Sequence, residues 1–327
     1  YLTLAIDQRL AMYAAMGLIV LGFQQSAVWG WDSVSTIGCL VVGAALMIGF
    51  VLLELRIPDP LIQLRIFKDR GFAVDNLVLG LMSVVFVPFF FFASVYAQAA
   101  LGESASNAGF YIMWFFLGFV VTSQIGGRIL DQQGARPAVV VGAALAAVGF
   151  YLLAGKLTDL SLNAQWIYIV LAGGGVGLML GPASTDAVNR APSTSYSEVT
   201  GVTQTSRNFG ASLGLAVLGS ILVSVNRTNV TDALVKGGVP RGRAEDIARS
   251  FGSSGGGRPS DSGGASSSLV HDVQAAFAHS TQTIFYVMAG VMALTFVVSL
   301  VLFPAGRMAA PDDLPEPADP PPADAAA

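Results

Sequence analysis

Long apolar runs, without charge apart from Arg207 in the seventh, separated by short polar breaks, dominate the chain. They cover Leu10–Trp31, Val34–Leu53, Leu77–Ala97, Ser104–Gly127, Ala138–Gly155, Leu160–Thr185, roughly Val199–Val225 and Ile284–Phe303. A run of about 18 or more such residues has the length of a membrane-crossing helix. Inside hydrocarbon each backbone amide needs a partner, which a helix supplies within its own segment. The strands of a membrane β-barrel are about ten residues long and alternate in polarity, a pattern absent here. The reading is an all-α membrane protein with eight transmembrane helices, spans 1–8. It divides the chain into a lead-in (1–9), two helices (10–55), a link (56–72), spans 3–7 (73–225), a long loop (226–282), the last span (283–304) and a tail (305–327).

The breaks carry an orientation signal. Arg56, Arg65, Lys68, Arg70, Arg128, Arg136 and Arg190 lie in alternate short loops, whereas the opposite side holds only Lys156. Short loops rich in Lys and Arg stay in the cytoplasm, so both ends of the chain are expected there. The loop 226–282 lies on the other side, with a Gly/Ser-rich centre at 252–268 and helical spacing in its flanks. The tail, built of Pro, Ala and acidic residues, is expected to be disordered.

Composition sharpens this picture. Of 327 residues, 54% are hydrophobic and 12% charged, and mean hydropathy is +0.64. So few charges exclude an ordinary soluble enzyme, and a net charge of -4 argues against a nucleic-acid partner. Cys39 is the single cysteine, so no internal disulfide or cysteine metal cluster forms. His271 and His279 read as solvated loop residues. No metal, cofactor or catalytic residue is expected. The first residue is Tyr1 rather than Met, which reads as a fragment or a trimmed start.

Polar residues concentrate in certain spans. Span 3 holds Asp75, Asn76, Tyr96 and Gln98, span 4 Gln124, span 6 Asp186, and span 7 Gln204, Arg207 and Asn208. Polar groups at membrane depth face protein or a watery cavity. Spans 5 and 8 carry almost none and are expected to face lipid, around an inner polar ring. Arg207 needs a partner, for which Asp186 and Asp131 are the candidates; Asp186 and Arg190, four apart, suit a pair on one helix face. Gly173, Gly177 and Gly181 share a face of span 6, and Gly210 and Gly214 a face of span 7, where backbones approach closely. Pro88 should bend span 3, and Phe89 beside it is a candidate cavity residue.

The loop after span 4 runs from Gly127 through Asp131 and Gly134 to Arg136. It resembles the G-x-x-x-D-x-x-G-x-[RK] cytoplasmic signature of the major facilitator superfamily. Gly127 would allow close helix approach, Gly134 a tight turn, Asp131 a helix cap and Arg136 a cytoplasmic anchor. Gln132 and Ala135 stand where the fuller pattern has basic residues. Residues 201–214, 29–33 and 58–67 look like segments of the fourteen-span drug:proton antiporters. The resemblance covers nearly all of 11–304. It implies that spans 1 and 2 are the two central linker helices and that spans 3–8 are the C-terminal six-helix half, with the N-terminal half missing from this chain.

By that resemblance the native protein is a proton-coupled exporter of drugs or other amphipathic small molecules, cycling by alternating access. Its partners are the lipid bilayer, the substrate, protons and the missing half, and its place is the plasma (inner) membrane of a bacterium. The residues assigned to the substrate or proton pathway are Asp75, Asn76, Phe89, Tyr96, Gln124, Asp186, Gln204 and Arg207. An exporter dedicated to one metabolite, such as an antibiotic, is the nearest alternative. A polytopic membrane enzyme would need clustered acids or histidines in a short loop, and none is found there; a sensor on the same bundle is the remaining class.

Overall fold

A computed structural model describes residues 2–56, 64–190, 196–236, 239–245 and 267–304. The long helices are α1 (Leu2–Trp29), α2 (Val34–Glu54), α3 (Arg70–Ala99), α4 (Ala105–Gln133), α5 (Ala135–Lys156), α6 (Leu162–Asn189), α7 (Tyr196–Lys236) and α8 (Ser267–Leu302). Among the described residues, α2 to α8 are seven helices long and apolar enough to cross a membrane. The first expected run falls in α1, which starts already at Leu2 and so absorbs the expected lead-in. Helix starts follow local chemistry: Asp69, Ser104 and Ser33 each accept a backbone N–H of the following first turn.

One expectation about the long loop changes. The loop expected over 226–282 is helical at both ends, because α7 runs on to Lys236 and α8 begins at Ser267. With 41 residues, α7 is about 60 Å long at the usual rise, against a hydrocarbon core of about 30 Å. Its outer turns pack on those of α8 through Val230, Leu234, Val273 and Ala276, with Ala244 of a helical turn at 241–245, in a cluster separate from the main core. The rest of the loop's Gly/Ser-rich centre and the tail from 305 lie outside the described residues.

Apolar composition also misplaces α5. It packs on α6 and α8, and Ala138, Ala143, Ala146 and Phe150 are fully enclosed. It is among the better-covered helices, whereas α2 and α4 are mostly exposed. An inner polar ring sheathed by apolar helices is therefore not how this chain packs. Lipid tails are as apolar as leucine, so hydropathy alone does not separate a lipid-facing surface from one facing a neighbouring helix.

Glycine sets which helices touch. A Cβ on Gly173 or Gly177 would strike the α4 backbone at Phe115 or Phe119, and one on Gly210 or Gly214 would strike α3 at Gly80 or Val84. Gly181 departs from expectation: a Cβ there meets nothing, since that face of α6 is open. Gly126 of α4 instead lies against the Leu178 carbonyl. Two prolines in helix interiors explain this geometry. Pro88 and Pro182 lack the N–H that would bond the carbonyls of Val84 and Leu178. Those two freed carbonyls are the ones against which Gly214 and Gly126 pack.

Candidate functional site

The end of the bundle where α3 begins and α6 ends gathers most of the charge. The Asp69 cap accepts the Phe72 N–H at 2.8 Å and fixes the start of α3, so Asp75 and Asn76 arrive in its second turn facing α6 and α7. Asp75 is wholly buried and Asp186 nearly so. Arg190, which ends α6, places Nε 2.8 Å from Asp186 Oδ2 and 3.3 Å from Asp75 Oδ2. The pair on one face of α6 is thus present, and Asp75 joins it as a third member. Gly71 makes room, since a Cβ there would collide with the Arg190 guanidinium. Burial opposes the charge on Arg190, but its hydrogen bond to Asp186 and the charges of Asp186 and Asp75 outweigh it and raise its pKa.

Around this cluster lie polar atoms with no hydrogen-bond partner among the described residues: both carboxylate oxygens of Asp75, Asn76 Oδ1 and Ser184 Oγ. Asn76 otherwise donates to the Phe72 carbonyl at 2.9 Å, and its own carbonyl accepts from Ser206 Oγ at 3.0 Å, tying α3 to α7. The next residue, Arg207, is half-buried, and its Nε lacks a hydrogen-bond partner. Neither expected partner reaches it. Asp186 is engaged by Arg190, and Asp131 is exposed on α4, which packs on α3, α5 and α6.

On α7 the residues Thr200, Gln204, Asn208 and Ser212 recur at every fourth position and are all exposed. Gln204 donates to Asn208 Oδ1 at 3.1 Å along this stripe. Gln124 of α4 is also exposed. Phe89 and Tyr96 are different: both are fully enclosed. Phe89 stacks on Phe115 with ring centres 4.4 Å apart and meets Phe150 and Phe285 edge-on. Tyr96 donates to the Leu157 carbonyl at 2.6 Å and accepts from Gln165, which in turn accepts from Tyr111. Among the described residues these two rings are buried packing and hydrogen-bonding groups. Gln165 carries no signal in the sequence beyond being an amide in an apolar run, two residues after Asn163.

The α4–α5 turn keeps part of its expected chemistry. Gly134 has φ +86° and serves both helices as their shared cap. Arg136 donates to the Leu300 carbonyl at 2.8 Å, anchoring the turn to the end of α8. Gly127 is not a close-approach glycine in this chain, since a Cβ there meets nothing; the contact belongs to Gly126, one residue earlier. Asp131 caps no described helix, because the start of α5 is taken by Gly134.

Long apolar helices sewn together through glycine, with their charges gathered toward the helix ends, define a polytopic helical membrane protein. Residues 9–215 match the Major Facilitator Superfamily, and the chain belongs to that superfamily. It is similar to Multidrug resistance protein 3 of Bacillus subtilis (strain 168), 26% identical over 67% of this chain and 43% of that protein. It is also similar to the Tetracenomycin C resistance and export protein of Streptomyces glaucescens, 26% identical over 69% of this chain and 42% of that protein. The Cephamycin export protein CmcT of Amycolatopsis lactamdurans is 30% identical over 63% and 43% respectively. The chain spans about two fifths of the length of the curated relatives it matches.

Proposed function

We propose that the native protein is a proton-coupled exporter of drugs or other amphipathic small molecules, of the fourteen-span antiporter type. This chain supplies the two linker helices, α1 and α2, and the C-terminal six-helix half, α3–α8, making eight spans in all. The Arg-rich end faces the cytoplasm, which puts both ends of the chain there and the outer turns of α7 and α8 outside. The reading rests above all on the exposed polar stripe of α7. Polar side chains at membrane depth on an open helix face require protein or water against them, as a second half enclosing an aqueous cavity would provide. Gln204, Asn208 and Arg207 then line the substrate path from this side, with Gln124 across from them. Asp75, Asp186 and Arg190 form the proton-responsive group: two buried carboxylates share one guanidinium, and unpartnered oxygens remain to take a proton. Asp131, unpartnered here, docks on the missing half, and the two halves alternate access by rocking.

The names of several relatives favour a narrower second reading, export of a single antibiotic. Tetracenomycin C and cephamycin each name one such relative. Efflux of cationic dyes from inverted vesicles holding the full-length protein separates the two, since a dedicated exporter leaves them unmoved. Collapsing the pH gradient is expected to stop efflux. Undiminished efflux after collapse removes proton coupling from the mechanism.

A further inference from the structure

Where α1 turns into α2, the outer part of α7 and the helical turn at 241–245 close around a cavity of about 390 Å³, within the roughly 300–1,000 Å³ range of small-ligand sites. Its walls carry two cations, Arg227 and Arg241, and two anions, Asp232 and Glu245, with Trp31 on the side of the α1–α2 turn. Arg241 and Glu245 stand 3.8 Å apart in a loose pair. Arg227 and Asp232 are exposed and make no ion pair among the described residues. Thr231 also borders the cavity; it is 6% exposed, and its hydroxyl has no hydrogen-bond partner among the described residues.

The position of this cavity across the membrane follows from its neighbours. Ser26 of α1 meets Ser220 of α7 at 2.7 Å, and Arg227 lies seven residues further on, about 10 Å outward by helical rise. The α1–α2 turn, with Trp29 and Trp31 exposed, marks the interface, where tryptophan favours the headgroup layer. A purely anionic ligand would meet Asp232 and Glu245, and a purely cationic one the two arginines. A ligand carrying both charges suits the two charges that make no ion pair among the described residues, Arg227 and Asp232. The geometry points to a binding site for the headgroup of an aminophospholipid, its phosphate held by Arg227 with the Thr231 hydroxyl and its ammonium by Asp232. The acyl chains stay in the bilayer. The site requires only that the α1–α2 turn lie at a membrane surface, so it stands or falls separately from drug export.

Native mass spectrometry of the full-length protein tests it, after incubation in detergent with equal amounts of phosphatidylethanolamine and phosphatidylglycerol. The expected result is a retained phosphatidylethanolamine adduct that falls about tenfold in Arg227→Ala and in Asp232→Asn, each of which deletes one charge-assisted contact. Thr231→Val, nearly equal in shape, is expected to weaken it several-fold and serves as the second variant if Arg227→Ala folds poorly. Equal retention of both lipids, or retention indifferent to these substitutions, overturns the proposal. So does loss in Arg227→Ala with Asp232→Asn unchanged, because that is the behaviour of a plain anion site. Soluble glycerophosphoethanolamine competing as well as the lipid assigns the cavity to a free metabolite and overturns the lipid source.

Discussion

Arg190 holds together more of the charged end than Arg207, the arginine that stands out in the sequence. Removing it would leave Asp75 and Asp186 buried side by side without a counter-charge, and stripping one partner from a buried pair typically costs about 3–5 kcal/mol. Arg190→Ala is therefore expected to lower the melting temperature in detergent sharply. Asp75→Asn removes the surplus negative charge and keeps the shape, so its melting temperature should stay near that of the parent while proton-driven transport falls. A melting temperature for Arg190→Ala equal to that of Asp75→Asn would show that the guanidinium is not what balances the pair. Arg207→Ala should melt normally, because no described partner is stranded, yet lose transport; retained transport takes Arg207 out of the pathway. The i, i+4 pairing of Asp186 with Arg190 was legible in the sequence. The third member was not, because Asp75 lies more than a hundred residues away and only the packing of α3 on α6 brings it in.

At the scale of helices, proline and glycine act in pairs across an interface. A proline frees a carbonyl on one helix, and a glycine on the next lets the backbone come close enough to lie against it, where Cα–H···O contacts partly replace the lost bond. Pro88 with Gly214 joins α3 to α7, and Pro182 with Gly126 joins α6 to α4. Adding one methyl at such a contact forces the backbones apart at about 1–3 kcal/mol. Gly214→Ala and Gly126→Ala are accordingly expected to melt several degrees below the parent in detergent. Gly181→Ala, whose methyl points into open space, should be neutral or slightly stabilising, since alanine is the better helix former. If Gly181→Ala were as damaging as Gly214→Ala, the assignment of these faces would be wrong. Glycine spacing in the sequence identified the right helices, but the partner backbone decides which glycine on a face is in contact. That is why Gly126 does the work expected of Gly127.

Across the whole chain, the apolar runs made seven of the eight expected spans legible among the described residues, because the bilayer sets a minimum length that the sequence must satisfy. They made the helix ends illegible. Beyond the bilayer α7 and α8 turn amphipathic and continue as a pair held by Val230, Leu234 and Val273, a pattern that reads as loop when only hydropathy is followed. Burial was equally hidden for Phe89 and Gln204. Each sits in a membrane-length helix, but one lies inside the packed bundle and the other on its open face. That contrast is measurable. In a Cys39→Ser background, Gln204→Cys and Gln124→Cys of the full-length protein are expected to react with a small charged thiol reagent that reaches the cavity. Addition of a transported drug should slow the reaction. Phe89→Cys and Tyr96→Cys should stay unreactive until the protein is denatured, since four helices' worth of rings and the Gln165 network close over them. Equal labelling of Phe89→Cys and Gln204→Cys would mean that the cavity cuts through the packed helices rather than along the α7 stripe. Unreactive Gln204→Cys, with or without drug, would put that stripe against protein, leaving the pathway to other helices.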